Sequence, residues 1–161
     1  MRHVLAFLLF LGFASITSAD DYIKDGELTH TLKITQRQGG FAGFTGFEYT
    51  IEPDGAWSSA SLFNKKTTPK NNGKLSAKEL ELLAALLAKN ELDKLPAKSG
   101  KQPGANPHTI TIEFGKTKAQ LVDQSPPKAD PNNPASVESR FAAIYQGVTG
   151  MLKDAKKSAD K

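Results

Sequence analysis

The side chains able to do chemistry are few and scattered. Of three histidines, His3 lies in the N-terminal leader, while His30 and His108 each sit inside an alternating strand pattern, far from any His-Glu-x-x-His helix or zinc-like pair. Each imidazole is therefore expected to be a sheet-face side chain with a local hydrogen bond, which leaves no metal site. Glu48, Glu52 and Asp54 fall together on a strand and its turn. Two such carboxylates held at a controlled separation, with perturbed acidity, could hydrolyse a glycoside, but half-exposed strand acids are ordinarily just solvated. The chain has no Gly-x-Ser-x-Gly elbow, no phosphate loop ending in Gly-Lys-Ser/Thr and no dinucleotide glycine fingerprint. No catalytic residue and no cofactor follow from these residue types.

The elements that would position a site begin after a leader. Arg2 and His3 form a short basic lead, Val4 to Phe13 an apolar run, and Thr17-Ser18-Ala19 a small-residue cleavage site, so residues 1–19 read as a signal peptide and the mature protein as secreted or periplasmic. The apolar run is short of the ~20 residues a membrane span takes. Cysteine is absent, which excludes disulfides, thiolate metal sites and a lipid-anchored mature terminus. Removing the leader takes Arg2 and no acid, lowering the net charge from +4 to +3. Much of that excess lies in a tail, residues 153–161, where acids interleave with lysines; it reads as a frayed solvated end and not as a nucleic-acid grip.

Between leader and tail, residues 20–152 read as one domain. Residues 28–36 alternate as a strand with His30, Leu32 and Ile34 on one side, and the glycine-rich segment 39–46 breaks that pattern. Phe47, Tyr49 and Ile51 then share one face of a second strand, Pro53-Asp54-Gly55 makes a turn, and residues 56–63 around Trp57 pair back as a hairpin. Residues 64–74 carry almost no apolar side chain and are expected to be a mobile surface loop. Ser76-Ala-Lys-Glu79 has capping-box spacing ahead of a leucine stripe, Leu80, Leu83 and Leu87 broadened by Leu82 and Leu86, so a helix starts there and Pro96 closes the segment. A connector over 97–107 leads to the alternating strand 108–114, a turn at Gly115-Lys116 and a strand over 117–122. After the proline-rich stretch 124–134, Val137, Phe141, Ile144, Val148 and Leu152 follow helical spacing, with Gly147 and Gly150 able to let that helix approach the sheet. The expected fold is α+β: an antiparallel sheet of four or five strands packed on one face by two helices.

At Gln38-Gly39-Gly40-Phe41-Ala42-Gly43, close behind a strand, the chain resembles the emfourin family of bacterial proteins, whose members carry a Gly-Gly-Phe-Ala-Gly-like segment in that place. The order of parts from about Leu32 to Leu152 is similar as well: a Pro-Asp-Gly turn, a tryptophan, a capped leucine-rich helix, a strand pair and a closing helix. Residues 64–74 and 124–134 depart from the compact pattern as additions. The resemblance implies a proteinaceous inhibitor of a thermolysin-like zinc metalloprotease, acting by occlusion and doing no chemistry of its own. A thermolysin-like site holds a large apolar side chain beside its zinc, and the segment Gly39, Gly40, Phe41, Ala42, Gly43 and Phe44 is the inhibitory loop candidate.

Structural readings compete with this one. Glycines at a strand end commonly mark a bulge or close backbone contact, and the reading that Phe41 plugs the core takes precedence over the wedge. Residues 64–74 and 97–107 are then rival contact surfaces. Trp57 reads as core or half-buried sheet ahead of a sugar-stacking platform. The expected partner is a secreted metalloprotease of the thermolysin type, bound by a monomer, with no nucleic acid and no membrane once the leader is removed. The alternative is a non-catalytic extracellular or envelope binding module for a protein or glycan; a carboxylate-using hydrolase is the third reading.

Overall fold

A computed structural model describes residues 18–41, 43–100 and 105–159. Most of the expected leader, and Ala42 of the loop candidate, lie outside the described residues.

The strands follow the alternation of the sequence and its turn residues. After a single 3₁₀ turn at Ala19–Asp21, β1 (Ile23–Lys24) and β2 (Glu27–Leu28) form a small hairpin. Its turn is Asp25-Gly26, both at positive φ (54° and 83°), as the tightest hairpin turn requires. Leu28 N donates to Pro53 O and Thr29 N to Tyr22 O, which draws the chain aside before it enters the main sheet. The first long strand, β3 (Leu32–Gln38), therefore starts later than its alternation suggests, and His30 stands exposed at a bend. Next come β4 (Thr45–Ile51), β5 (Ala56–Phe63) and β6 (Lys66–Lys74), then α1 (Ala77–Lys89), β7 (Ser99–Gly100), β8 (His108–Phe114), β9 (Thr117–Asp123) and α2 (Val137–Ala159). The order across the sheet is β6-β5-β4-β3-β8-β9-β7, antiparallel throughout except for the short parallel pair β7-β9.

This seven-stranded sheet exceeds the expected four or five strands. The added members are β7, from the connector, and β6, from the segment read as a mobile loop. Lacking apolar side chains does not prevent residues 66–74 from pairing, because an edge strand needs only its backbone bonds on one side and room for its neighbour. Room comes from Gly73, where a Cβ would sit 2.8 Å from the Trp57 indole nitrogen.

Register places one face of the sheet in the core. Leu32, Ile34, Ile51, Trp57, Ile110, Ile112, Phe114, Ala119 and Leu121 are buried there in one cluster with Leu80, Leu83 and Leu87 of α1 and Phe141, Ile144, Val148 and Leu152 of α2. Tyr22 and Leu28 join the same cluster, so the small hairpin packs with the helices and completes their layer. Ser76 caps α1 through the backbone N–H of Glu79 while Glu79 reaches back, as its spacing predicts. Leu82 does not broaden the buried stripe; it points to solvent. Gly147 brings α2 against Leu86 of α1, not against the sheet. Arg140 of α2 donates to the carbonyls of Asn90 and Glu91 at 2.9 Å each, tying the two helices together where α1 ends. The segment from Lys153, read as a frayed end, continues the helix through Ala159, and Lys156 Nζ donates to Asn71 Oδ1 of β6 at 2.7 Å.

Candidate binding site at the phenylalanine end of the sheet

The glycine-rich link between β3 and β4 is held at both of its feet. Gly39 N donates to Pro107 O at 2.9 Å, and Gly43 N to Gly40 O at 3.0 Å, closing a turn with Phe41 at its corner. On the other side Phe44 N donates to Asn64 Oδ1 at 2.9 Å and Asn64 N donates back to Phe44 O at 2.7 Å. Glycine is needed where these clamps meet: Gly43 lies at φ +100°, and a Cβ on it would collide with the Asn64 amide. Gly39 is buried with Pro107 against it and the Phe44 ring beyond. Phe41 is left with 111% relative exposure, free of any neighbour that could bury it. The reading of Phe41 as a core plug is thus overturned: the turn is too short to fold the ring back over either sheet face. Gly39, Gly40, Phe41, Gly43 and Phe44 are brought together as one tip.

Two more exposed aromatics lie on the core-side face of the adjoining strands. Along β4 the core-side residues grade from buried Ile51 through half-buried Tyr49 to Phe47, which is 45% exposed. Along β5 they run from buried Trp57 through Ser59 and Ser61 to Phe63, 52% exposed. The strands outrun the helices that cover them. Cover stops at Tyr145 of α2, whose hydroxyl donates to Gln36 Oε1 at 3.2 Å, so the polar Gln36 in an otherwise apolar face has a partner. Burial pushes the Tyr145 phenol up to about 12, with the nearby Tyr49 phenol adding to the rise, and burial raises Tyr49 too. Phe47 stacks on Tyr49, ring centroids 6.4 Å apart, which joins the exposed aromatics to the core.

No family model matches the chain, and no curated protein does.

The remaining sequence candidates are dispersed. Glu48 pairs with Lys33 at 3.0 Å on the open face, Glu52 accepts from the Thr31 hydroxyl, and Asp54 accepts from Ala56 N and from Lys74. The Ala56 N–H, followed by the Lys74 ammonium, holds the Asp54 carboxyl below its ordinary range. A groove of about 770 Å³ between Asp25, Glu27, Asp54, Lys74 and the first turn of α1 lies at the opposite end of the sheet from the phenylalanines. His30 makes the local contact expected of it, Nδ1 to Thr29 Oγ1 at 3.2 Å. His108 does not: it opens β8 with its Nδ1 buried and unpartnered among the described residues. No group of three or more His, Cys, Asp or Glu among the described residues could hold a metal, and no described helix is long and apolar enough to cross a membrane.

Phe47 and Phe63 belong to the site without having been singled out from the sequence, and Asn64 and Pro107, ends of the two rival contact surfaces, join the loop candidate instead of competing with it. Asn64 carried a signal, since asparagine at the head of a two-residue turn tolerates the left-handed region, and here it has φ 51°. Pro107 and Phe63 carried none, because their part depends on which strands become neighbours.

Proposed function

We propose that the mature chain is a proteinaceous inhibitor of a thermolysin-like zinc metalloprotease, acting outside the cytoplasm by occluding the active site with the loop that bears Phe41. The observation that carries this reading is a fully exposed phenylalanine at the corner of a turn clamped on both sides. An exposed aromatic normally loses rotamer and backbone freedom when it enters a pocket; a loop already fixed by Pro107 and Asn64 loses less, so more of the burial free energy appears as affinity. Rigidity also favours inhibition over turnover, because a loop that cannot relax onto the catalytic groups is bound and not processed. The Gly-Gly-Phe-Ala-Gly resemblance names the class of pocket, a large apolar subsite beside the zinc.

Titration decides it. Residues 20–161, added to a thermolysin-like zinc protease, are expected to remove peptidase activity stoichiometrically, and Phe41→Ala to weaken that inhibition at least tenfold, the scale of ~1.4 kcal/mol lost from a binding anchor. Unchanged activity at large molar excess would overturn the proposal and leave a non-catalytic binding module as the better reading.

A further inference from the structure

The exposed aromatics lie in an unusually one-signed setting. No Asp or Glu occurs in residues 36–47, 55–78 or 94–112, the three stretches that build this end of the molecule. Strand register runs Asp123, His108, Gln38, Thr45, Phe63, Lys66 across the last complete rung of the sheet, so the acid on it stands at the far side from Phe63. Beside the phenylalanines stand Lys65 and Lys66 at the β5–β6 turn, Lys66 directly opposite Phe63; Arg37 alternates onto the open face, with Lys33 and Glu48. Neither Lys65 nor Lys66 makes an ion pair among the described residues, whereas Lys33, Lys74 and Lys118, farther along the sheet, each hold a carboxylate. Beside Phe47 there is a recess of about 250 Å³ bordered by Gln36, Gln38, Thr45 and Ser61.

We infer that the contact surface is larger than the loop: Phe47 and Phe63 form a second apolar anchor at the same end of the sheet as Phe41 and Phe44, and Lys65 and Lys66 form its cationic border. The occupant it fits is a folded protein whose apolar subsite is bordered by carboxylates. The inference rests on the inhibitory reading, since it takes the target protease to be that partner. Charge complementarity selects the partner: unpaired cations facing carboxylates across a rim act at long range and raise the rate of encounter, while the desolvated aromatics set how slowly the complex comes apart.

The test uses residues 20–161 and a thermolysin-like zinc protease, with association and dissociation rates measured from 20 to 500 mM salt. The Phe47→Ser/Phe63→Ser pair is expected to speed dissociation at least tenfold, and the double variant Lys65→Glu/Lys66→Glu to slow association several-fold at low salt and flatten its salt dependence, the pattern of rim charges against buried anchors. Thermal melts establish that both variants are folded; if the phenylalanine pair melts early, Phe47→Tyr/Phe63→Tyr replaces it, with the same direction expected. Wild-type inhibition that only Phe41→Ala disturbs would overturn the extended surface while leaving the loop mechanism standing. No inhibition by the wild type would remove both. Sedimentation with phosphatidylglycerol vesicles, lost in both multiple variants, would assign the surface to an anionic membrane and overturn the protein partner.

Discussion

Two exposed regions meet at the turn between β5 and β6, and they are built in opposite ways. On one side is the outer strand β6, with lysine at 66, 70 and 74, proline at 69, and not one aliphatic or aromatic side chain along its nine residues. Its register against β5 slips between Ser59 and Ala60. Lysines, a proline without an N–H and a register slip are the devices by which sheet edges avoid pairing with other chains. On the other side are Phe41, Phe44, Phe47 and Phe63, all exposed and none guarded by a charge of their own. Exposure is common to both regions; chemistry separates them. The edge is closed to partners by its side chains, and the phenylalanine end is left open although the same lysine-rich turn borders it.

The comparison depends first on β6 being anchored from within, through the tryptophan that lies over it. Trp57 is 5% exposed, and its indole occupies the space above Gly73. Trp57→Ala is accordingly expected to produce the largest loss of stability of any change in this half of the molecule, ~3–5 kcal/mol in urea denaturation. Hydrogen exchange in β6 should rise with it. Gly73→Ala reaches the same contact from the other side and is expected to destabilise β6 by pushing the ring away. Should Trp57→Ala cost under ~1 kcal/mol, as a surface change would, then β6 is held by backbone pairing alone and its contrast with the phenylalanine end loses its structural basis.

How much of this could be read in advance follows the range of the interactions involved. The capping box at Ser76, the Pro53-Asp54-Gly55 turn, the Gly115 turn and the helical stripe from Phe141 to Leu152 all depend on residues within a few positions of one another, and the structure has them where the sequence places them. Strand β6 depends on Trp57 and Gly73, sixteen positions apart, finding one another across a hairpin. A polar composition by itself therefore does not mean mobility. Phe47 shows the same limit on a single face. Its alternation with Tyr49 and Ile51 is real, but alternation says which way a side chain points, and only the extent of α2 says whether anything covers it. The glycine-rich segment was legible as a special loop, whereas the fate of Phe41 hung on the clamps from Pro107 and Asn64.

The boundary between covered core and open phenylalanines can be tested by titration. Tyr145 marks the last covered rung, and burial raises its phenol from 10.0 to about 12 in the folded chain. A group with a raised folded value gives its full stabilisation below the unfolded value and loses it as pH climbs through the folded one, because the unfolded chain gives up its proton first. Stability should thus decline between pH 10 and about 12, with Tyr22, raised to about 12 by burial against the opposing hydrogen bond from the Asp93 backbone N–H, contributing in the same window. Tyr145→Phe should flatten part of that decline, at the cost of the bond to Gln36. A variant whose stability falls as steeply as the wild type over that range would place Tyr145 in solvent, and the edge of the core would have to be drawn nearer to Ile34.

The smallest expected effect is the most discriminating. Phe41 buries nothing in the free protein, so Phe41→Ala should change stability by no more than ~0.5 kcal/mol, the range of an ordinary surface substitution, while a core phenylalanine would cost ~3–5 kcal/mol. A matched pair of thermal melts with Phe141→Ala, whose side chain is fully buried, supplies the scale on the same protein. If Phe41→Ala lowers the melting temperature as far as Phe141→Ala does, the ring is packed in solution, the tip is not a presented surface, and the phenylalanine end becomes a second, smaller core. If it leaves the melt unchanged, any loss of inhibition in that variant belongs to the contact alone, since neither the clamps at Pro107 and Asn64 nor the sheet behind them has been disturbed.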